Sequence, residues 1–415
     1  MTGSEAVEPL RLYWANQYAV SPDQPGGTRH YDFAKELQQR GHDVSLIASD
    51  INLSTRQYSR RSGPTDLRAH PERIGGVKFT WLTAGSYRGN NWRRVASMVV
   101  FGLATTRHLL RVEKDARTVF IGSSPHLFAA LGAWLAAKLR RVPFVFEVRD
   151  LWPESYSEVS GRETGPEVTL LRLIADLLYR RSDAIIVLAD SNVDRICERG
   201  VPRSRITLVP NGVDLHGFEN ADEGVDLSQP GVFTFVYAGA HGPANDLATV
   251  VEAAAELKKR SRDDIGVVLL GDGACKEDLI EQANSLGLEN IRFVDPVPKS
   301  GIASTLRSAD AGLMVLAAVD LFTYGVSPNK LFDYMGAGLP VLANVPGLVA
   351  DVISRAGVGT TVAGGDPKAL ADGMEAMADD PPVDAAAHGR KFIEENYDRR
   401  KLAVTVESLL SSLRR

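Results

Sequence analysis

Leu10-Arg11-Leu12-Tyr13-Trp14 is a short apolar run. Ser21-Pro22-Asp23-Gln24-Pro25-Gly26-Gly27-Thr28 separates it from Tyr31, Phe33, Ala34 and Leu37, which keep helical spacing up to Gly41-His42. A second apolar run, Asp43-Val44-Ser45-Leu46-Ile47-Ala48, follows at once. The order is strand, glycine-rich turn, helix, strand, which is the βαβ unit of doubly wound α/β folds. Gly26 and Gly27 would let backbone N–H groups approach a ligand closely at the helix start. Short of a full GxGxxG pattern, the pair equally suits a turn that needs glycine only for steric reasons.

The same alternation runs outward from this unit. Strands are expected at Val77–Leu82, Thr118–Gly122, Val142–Val148, Asp183–Ala189 and Ile206–Pro210, with Ser49–Gly76 as a long polar loop. Leu215–Pro230 is polar and rich in Gly and Asp, and reads as an inter-domain linker. The pattern then restarts with strands at Val232–Tyr237, Ile265–Leu270, Ile291–Val294, Ala311–Leu316 and Pro340–Ala343. Nearly every one ends in a Gly- or Pro-marked turn. The fold class is therefore α/β, with two Rossmann-like halves. The expected domains are residues 1–215, residues 216–395 and a closing helical segment, residues 396–415.

A chain of 415 residues is long enough for two domains with real cores. Its net charge of −5 without a long basic run argues against nucleic acid as a partner. Two cysteines, Cys197 and Cys275, lie far apart and form no disulfide framework. With an acidic, polar start that resembles no signal peptide, this gives an expected cytoplasmic location, at the inner face of the membrane if the protein meets one. The stretch Trp92–Leu110 is the nearest thing to a membrane segment. It reads either as a helix lying on an anionic bilayer, a peripheral membrane contact, or as a buried helix with solvated ends, and the second is favoured.

Chemistry concentrates at two places. In Ser327-Pro328-Asn329-Lys330-Leu331-Phe332-Asp333, Ser327 suits an N-cap and Pro328 the first helical position. Lys330 in the first turn opposes the helix dipole, which is unusual unless an anion such as a phosphate binds there. Asp333 shares that face one turn on, where a ribose following the phosphate would reach it. The bland alternative is a surface Lys330–Asp333 pair. The second place is Glu147-Val148-Arg149-Asp150, at the carboxyl end of an apolar strand, where ligands bind in open α/β sheets. Here the bland alternative is Arg149 paired with Asp150 or Glu147. There is no Walker motif, no HExxH or paired-cysteine zinc site, no GxSxG elbow and no Asp-x-Asp. Two such halves facing a cleft suit an enzyme that takes a nucleotide-linked substrate.

The chain resembles the GT-B-fold glycosyltransferases of family 4, in particular bacterial surface-polysaccharide transferases of the L-fucosamine-transferase type. The resemblance rests on Pro25-Gly26-Gly27-Thr28-Arg29, Phe146-Glu147-Val148-Arg149-Asp150-Leu151-Trp152-Pro153-Glu154, Val209-Pro210-Asn211-Gly212-Val213-Asp214, Gly271-Asp272-Gly273 and Ser327-Pro328-Asn329-Lys330, in order along nearly the whole chain. It implies a retaining, metal-independent transfer from a nucleotide sugar, usually a UDP-sugar and here of N-acetylhexosamine type, to a hydroxyl of a sugar or lipid-linked acceptor. No cofactor is implied beyond that donor. By this likeness Asp333 binds the ribose, the backbone near Pro296 and Val297 the base, and Lys330 with the helix start at Ser327, Pro328 and Asn329 the diphosphate. Gly239, His241, Gly242, Gly271 and Asp272 lie nearby, and Gly26 and Gly27 close from the other domain. Asp150, with Arg149, organises the reacting face, and the final helix crosses back onto the first domain.

The family often carries two glutamates with seven residues between them. Here the second is Asp333 and the first falls on Gly325. A UDP-sugar 2-epimerase of the same fold and a non-catalytic nucleotide-sugar-binding partner are the competing readings.

Overall fold

The computed structural model describes residues 8–51, 60, 68–85, 92–154, 156–157, 163–319 and 329–413. β1 (Arg11–Ala15) and β2 (Asp43–Ser49) run parallel and are joined by α1 (Arg29–Gln39). Both strands are covered on both faces, so an apolar run, not an alternating one, is what the fold demands of them. α1 buries Tyr31, Phe33, Ala34 and Leu37, the residues whose spacing announced it.

The described residues form two compact units. One takes those within Met1–Ser21, Thr28–Pro210 and Arg400–Arg415, and the other those within Pro22–Gly27 and Asn211–Arg399. The first unit holds an eight-stranded sheet in the order β3-β4-β2-β1-β5-β6-β7-β8. The remaining strands are β3 (His70–Ile74), β4 (Val77–Leu82), β5 (Thr118–Ser123), β6 (Phe144–Val148), β7 (Ala184–Val187) and β8 (Ile206–Leu208). All pair in parallel except β3, an edge strand antiparallel to β4. β3 lies inside the stretch expected to be a loop. His-Pro-Glu-Arg-Ile has no apolar alternation, and its proline is tolerated because the strand has a free edge. The rest of that expected loop, residues 52–59 and 61–67, lies outside the described residues.

Three helices, α2 (Trp92–Leu109), α3 (Leu127–Arg140) and α4 (Pro166–Arg181), share one core cluster with Phe120, Phe144 and Phe146 of the sheet. α5 (Asp190–Glu198) completes that face. On the other face α1 packs beside the closing helix, Arg399–Ser412, through Leu402, Ala403, Val406 and Leu410. His42 Nε2 and Glu407 Oε1 lie 2.8 Å apart and fix that helix in place. The closing helix is therefore part of the first unit from Arg400 onward.

The second unit holds a fully parallel six-stranded sheet in the order β11-β10-β9-β12-β13-β14. Its strands are β9 (Phe233–Ala238), β10 (Ile265–Leu270), β11 (Ile291–Val294), β12 (Ala311–Met314), β13 (Val341–Ala343) and β14 (Gly359–Thr361). Chain order reverses on either side of β9, so the turn after β9 sits at the topological switch point. The expected linker Leu215–Pro230 is instead folded into this unit. α6 (Leu215–Glu219) and Leu227 join its core with Val213, and Ser308 Oγ accepts from Leu227 N at 2.8 Å. Sparse apolar residues without a period still anchor a strap when each one falls into a pocket of the core.

In chain order, α7 (Leu247–Lys259), α8 (Lys276–Ser285) and α9 (Ile302–Arg307) precede α10 (Asn329–Ala337). α10 buries Leu331, Phe332, Tyr334 and Met335. Gly338, at φ +86°, stops it in a conformation that disfavours a side chain. Its expected cap, Ser327 and Pro328, and Gly325 lie outside the described residues.

Candidate active site

The turns after β9 and β10 interlock. His241 N donates to Asp272 O at 2.9 Å, and Cys275 N donates to His241 O at 2.9 Å. A Cβ on Gly271 would stand 1.9 Å from Gly239 O, so only glycine lets the two backbones approach this closely. Asp272 accepts from Gly273 N at 2.8 Å, which spends one carboxylate oxygen on shaping the turn. His241 is fully buried and neither ring nitrogen has a partner among the described residues. Burial, reinforced by Lys276 and Lys330 and opposed by Asp272, pushes its imidazole down to about 4. It is therefore neutral near pH 7, with one nitrogen free to donate and one to accept.

Lys330 stands at the start of α10 with its ammonium drawn into the protein. Nζ donates to Tyr237 Oη at 2.8 Å and to Asn245 Oδ1 at 3.1 Å, and lies 4.1 Å from the Tyr237 ring centroid. No carboxylate pairs with it among the described residues. Desolvation pushes it down to about 7. A Cβ on Gly239 would come within 3.5 Å of Nζ, so the bare turn after β9 borders the ammonium directly. Gly242 O accepts from Asn245 N at 3.0 Å and so positions the asparagine that holds the lysine. The arrangement is a cation poised without a counter-anion, beside glycine backbone at a switch point.

Asp333 does not pair with Lys330, which removes the surface-pair reading. Its Oδ2 accepts from Lys299 Nζ at 2.6 Å, while its Oδ1 is buried with no partner among the described residues. Lys299 follows Pro296 and Val297 and also lies 5.5 Å from the Phe218 ring centroid. Lys299 thus holds one oxygen of Asp333 and leaves the other for a hydroxyl donor. Gly26 and Gly27 belong to the segment that clusters with this unit. Lys299 N donates to Gln24 O at 3.3 Å, and a Cβ on Gly27 would stand 2.9 Å from Asn329 Nδ2. The structure therefore joins Gly27, Asn329, Lys330, Gly239, His241, Gly271 and Asp272 around one set of turns. Lys299, Tyr237 and Asn245 were not legible as site residues, since none sits in a motif.

Arg149 and Asp150 belong to the first unit, at the end of β6. Ser124 Oγ accepts from Arg149 N at 2.7 Å and from Asp150 N at 3.1 Å, which pins the turn. Glu147 is not the partner of Arg149. Its buried carboxylate accepts from Arg29 Nε at 2.9 Å, lies 2.9 Å from His30 Nε2 and also accepts from Ser123 Oγ. Despite its burial, the Arg29 charge and His30 hold Glu147 well below the usual carboxylate range. Arg149 Nε has no partner among the described residues. Asp150 is open to water on one side, yet the protein crowded round it raises its carboxyl against the Arg149 charge. The buried Arg29–Glu147 pair was missed because its members lie on helix and strand far apart in the chain.

The model of the glycosyl transferase 4-like domain matches residues 26–212, and that of the glycosyl transferases group 1 matches residues 221–399. The chain belongs to the GT-B-fold glycosyltransferases of family 4. This glycosyltransferase is 25% identical to the D-inositol 3-phosphate glycosyltransferase of Kribbella flavida, over 92% of this chain and 91% of that one. It is 26% identical to the putative colanic acid biosynthesis glycosyl transferase WcaI of Escherichia coli K12, over 77% of this chain and 79% of the relative. Among solved structures, Anabaena HepE in complex with UDP-glucose superposes with a TM-score of 0.69 at 16% identity, covering 97% of this chain and 100% of that one. No helix among the described residues is long and apolar enough to cross a membrane.

Proposed function

We propose that this glycosyltransferase moves a sugar, of N-acetylhexosamine type, from UDP to a hydroxyl on a sugar or lipid-linked acceptor, with retention at the anomeric carbon and without a metal. The setting would be polysaccharide or glycoconjugate assembly. The observation that carries this reading is Lys330, a desolvated ammonium paired with no carboxylate among the described residues, beside Gly239. One turn on, Asp333 offers a free oxygen to a ribose hydroxyl. Phosphate and ribose of one nucleotide would satisfy both. Gly239, Gly242 and Gly271 would admit the diphosphate, and the backbone at Pro296 and Val297 the base. The likeness to a structure holding UDP-glucose supports the choice of nucleotide.

In the proposed step the acceptor oxygen bonds to the anomeric carbon on the face from which the diphosphate leaves. The carbon–oxygen bond to UDP breaks, and the leaving phosphate oxygen takes the acceptor proton. Lys330 stabilises the charge that grows on that phosphate, and neutral His241 supplies a hydrogen bond without adding charge. Asp150 and Arg149 are assigned to ordering the reacting face.

Lys330→Ala should weaken UDP binding by about 2 kcal/mol, the loss expected for one charge-assisted contact. Calorimetry giving an unchanged affinity would refute the diphosphate role. Turnover of a UDP-N-acetylhexosamine with no acceptor, yielding an isomerised nucleotide sugar, would replace the transferase by an epimerase. Proton NMR of the first product anomer tests retention.

A further inference from the structure

α2, α3 and α4 cover the same face of the first unit's sheet, so their outward sides form a single surface. That surface is unusually apolar. Of the large apolar side chains that are more than a third exposed in the described residues, most lie on these helices or directly after α2. Leu103 is 66% exposed, Leu139 62% and Leu173 62%. Along α2 and in the two residues after it, the exposed positions include Arg93, Val95, Val100, Leu103, Arg107, Leu110 and Arg111. Its opposite side buries Met98, Phe101 and Leu109. The helix is thus neither wholly buried nor loosely attached.

The surface is also predominantly basic, although α4 carries Glu167 and Asp176. Neither α2 nor α3 contains an acidic residue, although the chain as a whole carries −5. α3 adds exposed Lys138 and Arg141 beside Leu139, and Lys138 Nζ lies 5.3 Å from the half-buried Trp134 ring. α4 sets Arg172 between Leu170 and Leu173. Of the acids on or near these helices, Glu113 and Asp115 pair with Arg11 and Asp176 with Arg199, while Glu167 lies at the start of α4, away from Leu173. The pair α2–α3 is also rigid. A Cβ on Gly132 would stand 2.3 Å from Gly102 O, and Thr106 Oγ1 donates to Gly132 O at 3.0 Å.

We propose that the outward face of α2, α3 and α4 docks on the headgroup region of an anionic lipid bilayer. Leucines and a tryptophan on a surface whose charges are mostly Lys and Arg are the composition of an interfacial element. Leucines enter the acyl boundary while guanidinium and ammonium groups meet the lipid phosphates. A second copy of the chain is a poor occupant, because it would set like charges against each other. Docking is independent of the donor chemistry.

Vesicle co-sedimentation tests it. The full-length protein should sediment with vesicles of phosphatidylcholine and phosphatidylglycerol, far less with phosphatidylcholine alone, and less as salt rises. Leu103→Glu and Leu139→Glu should each weaken partition by about tenfold or more. Their thermal midpoints and turnover with a water-soluble acceptor should not change. Val383→Glu, at a site 79% exposed in the second unit, should leave sedimentation unaltered. Absent sedimentation with anionic vesicles, full retention by the Leu103→Glu variant, or an equal loss with Val383→Glu overturns the proposal. So does self-association abolished by Leu103→Glu in protein that ignores vesicles.

Discussion

Lys330 shows how a charge is kept available. An ammonium in water, or one paired to Asp333, would gain little from a diphosphate. Here Tyr237 and Asn245 hold it with neutral oxygens, and burial leaves it half-deprotonated near pH 7. An arriving diphosphate favours the charged form again. UDP binding at about pH 8 should therefore take up close to one proton at this group, read from calorimetry in buffers of different ionisation enthalpy. Lys330→Met should abolish that uptake. The same shift has a stability consequence in the free protein. Between about pH 7 and the unfolded value near 10.4 the unfolded chain binds the extra proton, so this group's contribution to stability rises with pH in that window. At this scale the lysine and Asp333 were legible because they share one helix in an uncommon pattern. Their partners were not, since Lys299, Asn245 and Tyr237 lie 34, 85 and 93 residues away.

Elements place these residues. The turns after β9 and β10 can interlock only because Gly271 and Gly273 carry no Cβ, and α10 then meets them with its first turn. In the first unit the equivalent close approach is between α2 and α3, at Gly102 and Gly132. Gly132→Leu should force the helices apart and destabilise the protein by about 2 kcal/mol, the scale of overpacking a filled core. A denaturant midpoint that does not move would show that the crossing has slack. Helix and strand order were readable from periodicity. The edge strand β3 and the strap from Asn211 to Leu227 were not, because tertiary contacts, not a local period, hold them.

For the molecule as a whole, buried histidines set the response to acid. Burial pushes His126 down to about 3 and His241 to about 4, and it also lowers His30. Each stays neutral in the fold at pH values where the unfolded chain, near 6.5, binds a proton. Stability should fall as pH drops from about 6.5 towards 4. Below the unfolded value of about 4.3, protonation of unfolded carboxylates adds to the fall by removing what Glu147 gains from Arg29. Urea midpoints measured across that range should decline steadily, and a flat profile down to pH 4 would contradict the buried neutral imidazoles.

The sequence alone determined the α/β alternation in both halves and the two places where chemistry gathers. Strands buried on both faces must read as apolar runs, and helices against them must repeat near every 3.6 residues. Local order leaves that mark whatever the rest of the chain does. Only the tertiary structure decided which charge meets which: Glu147 with Arg29 and not Arg149, Asp333 with Lys299 and not Lys330. It also decided that the second unit takes Pro22–Gly27 along with Asn211–Arg399, and that one side of α2 faces outward with Leu103 bare. Pairings and exposure depend on which distant surfaces arrive, and a helix apolar all round gives no local sign of which side will be covered.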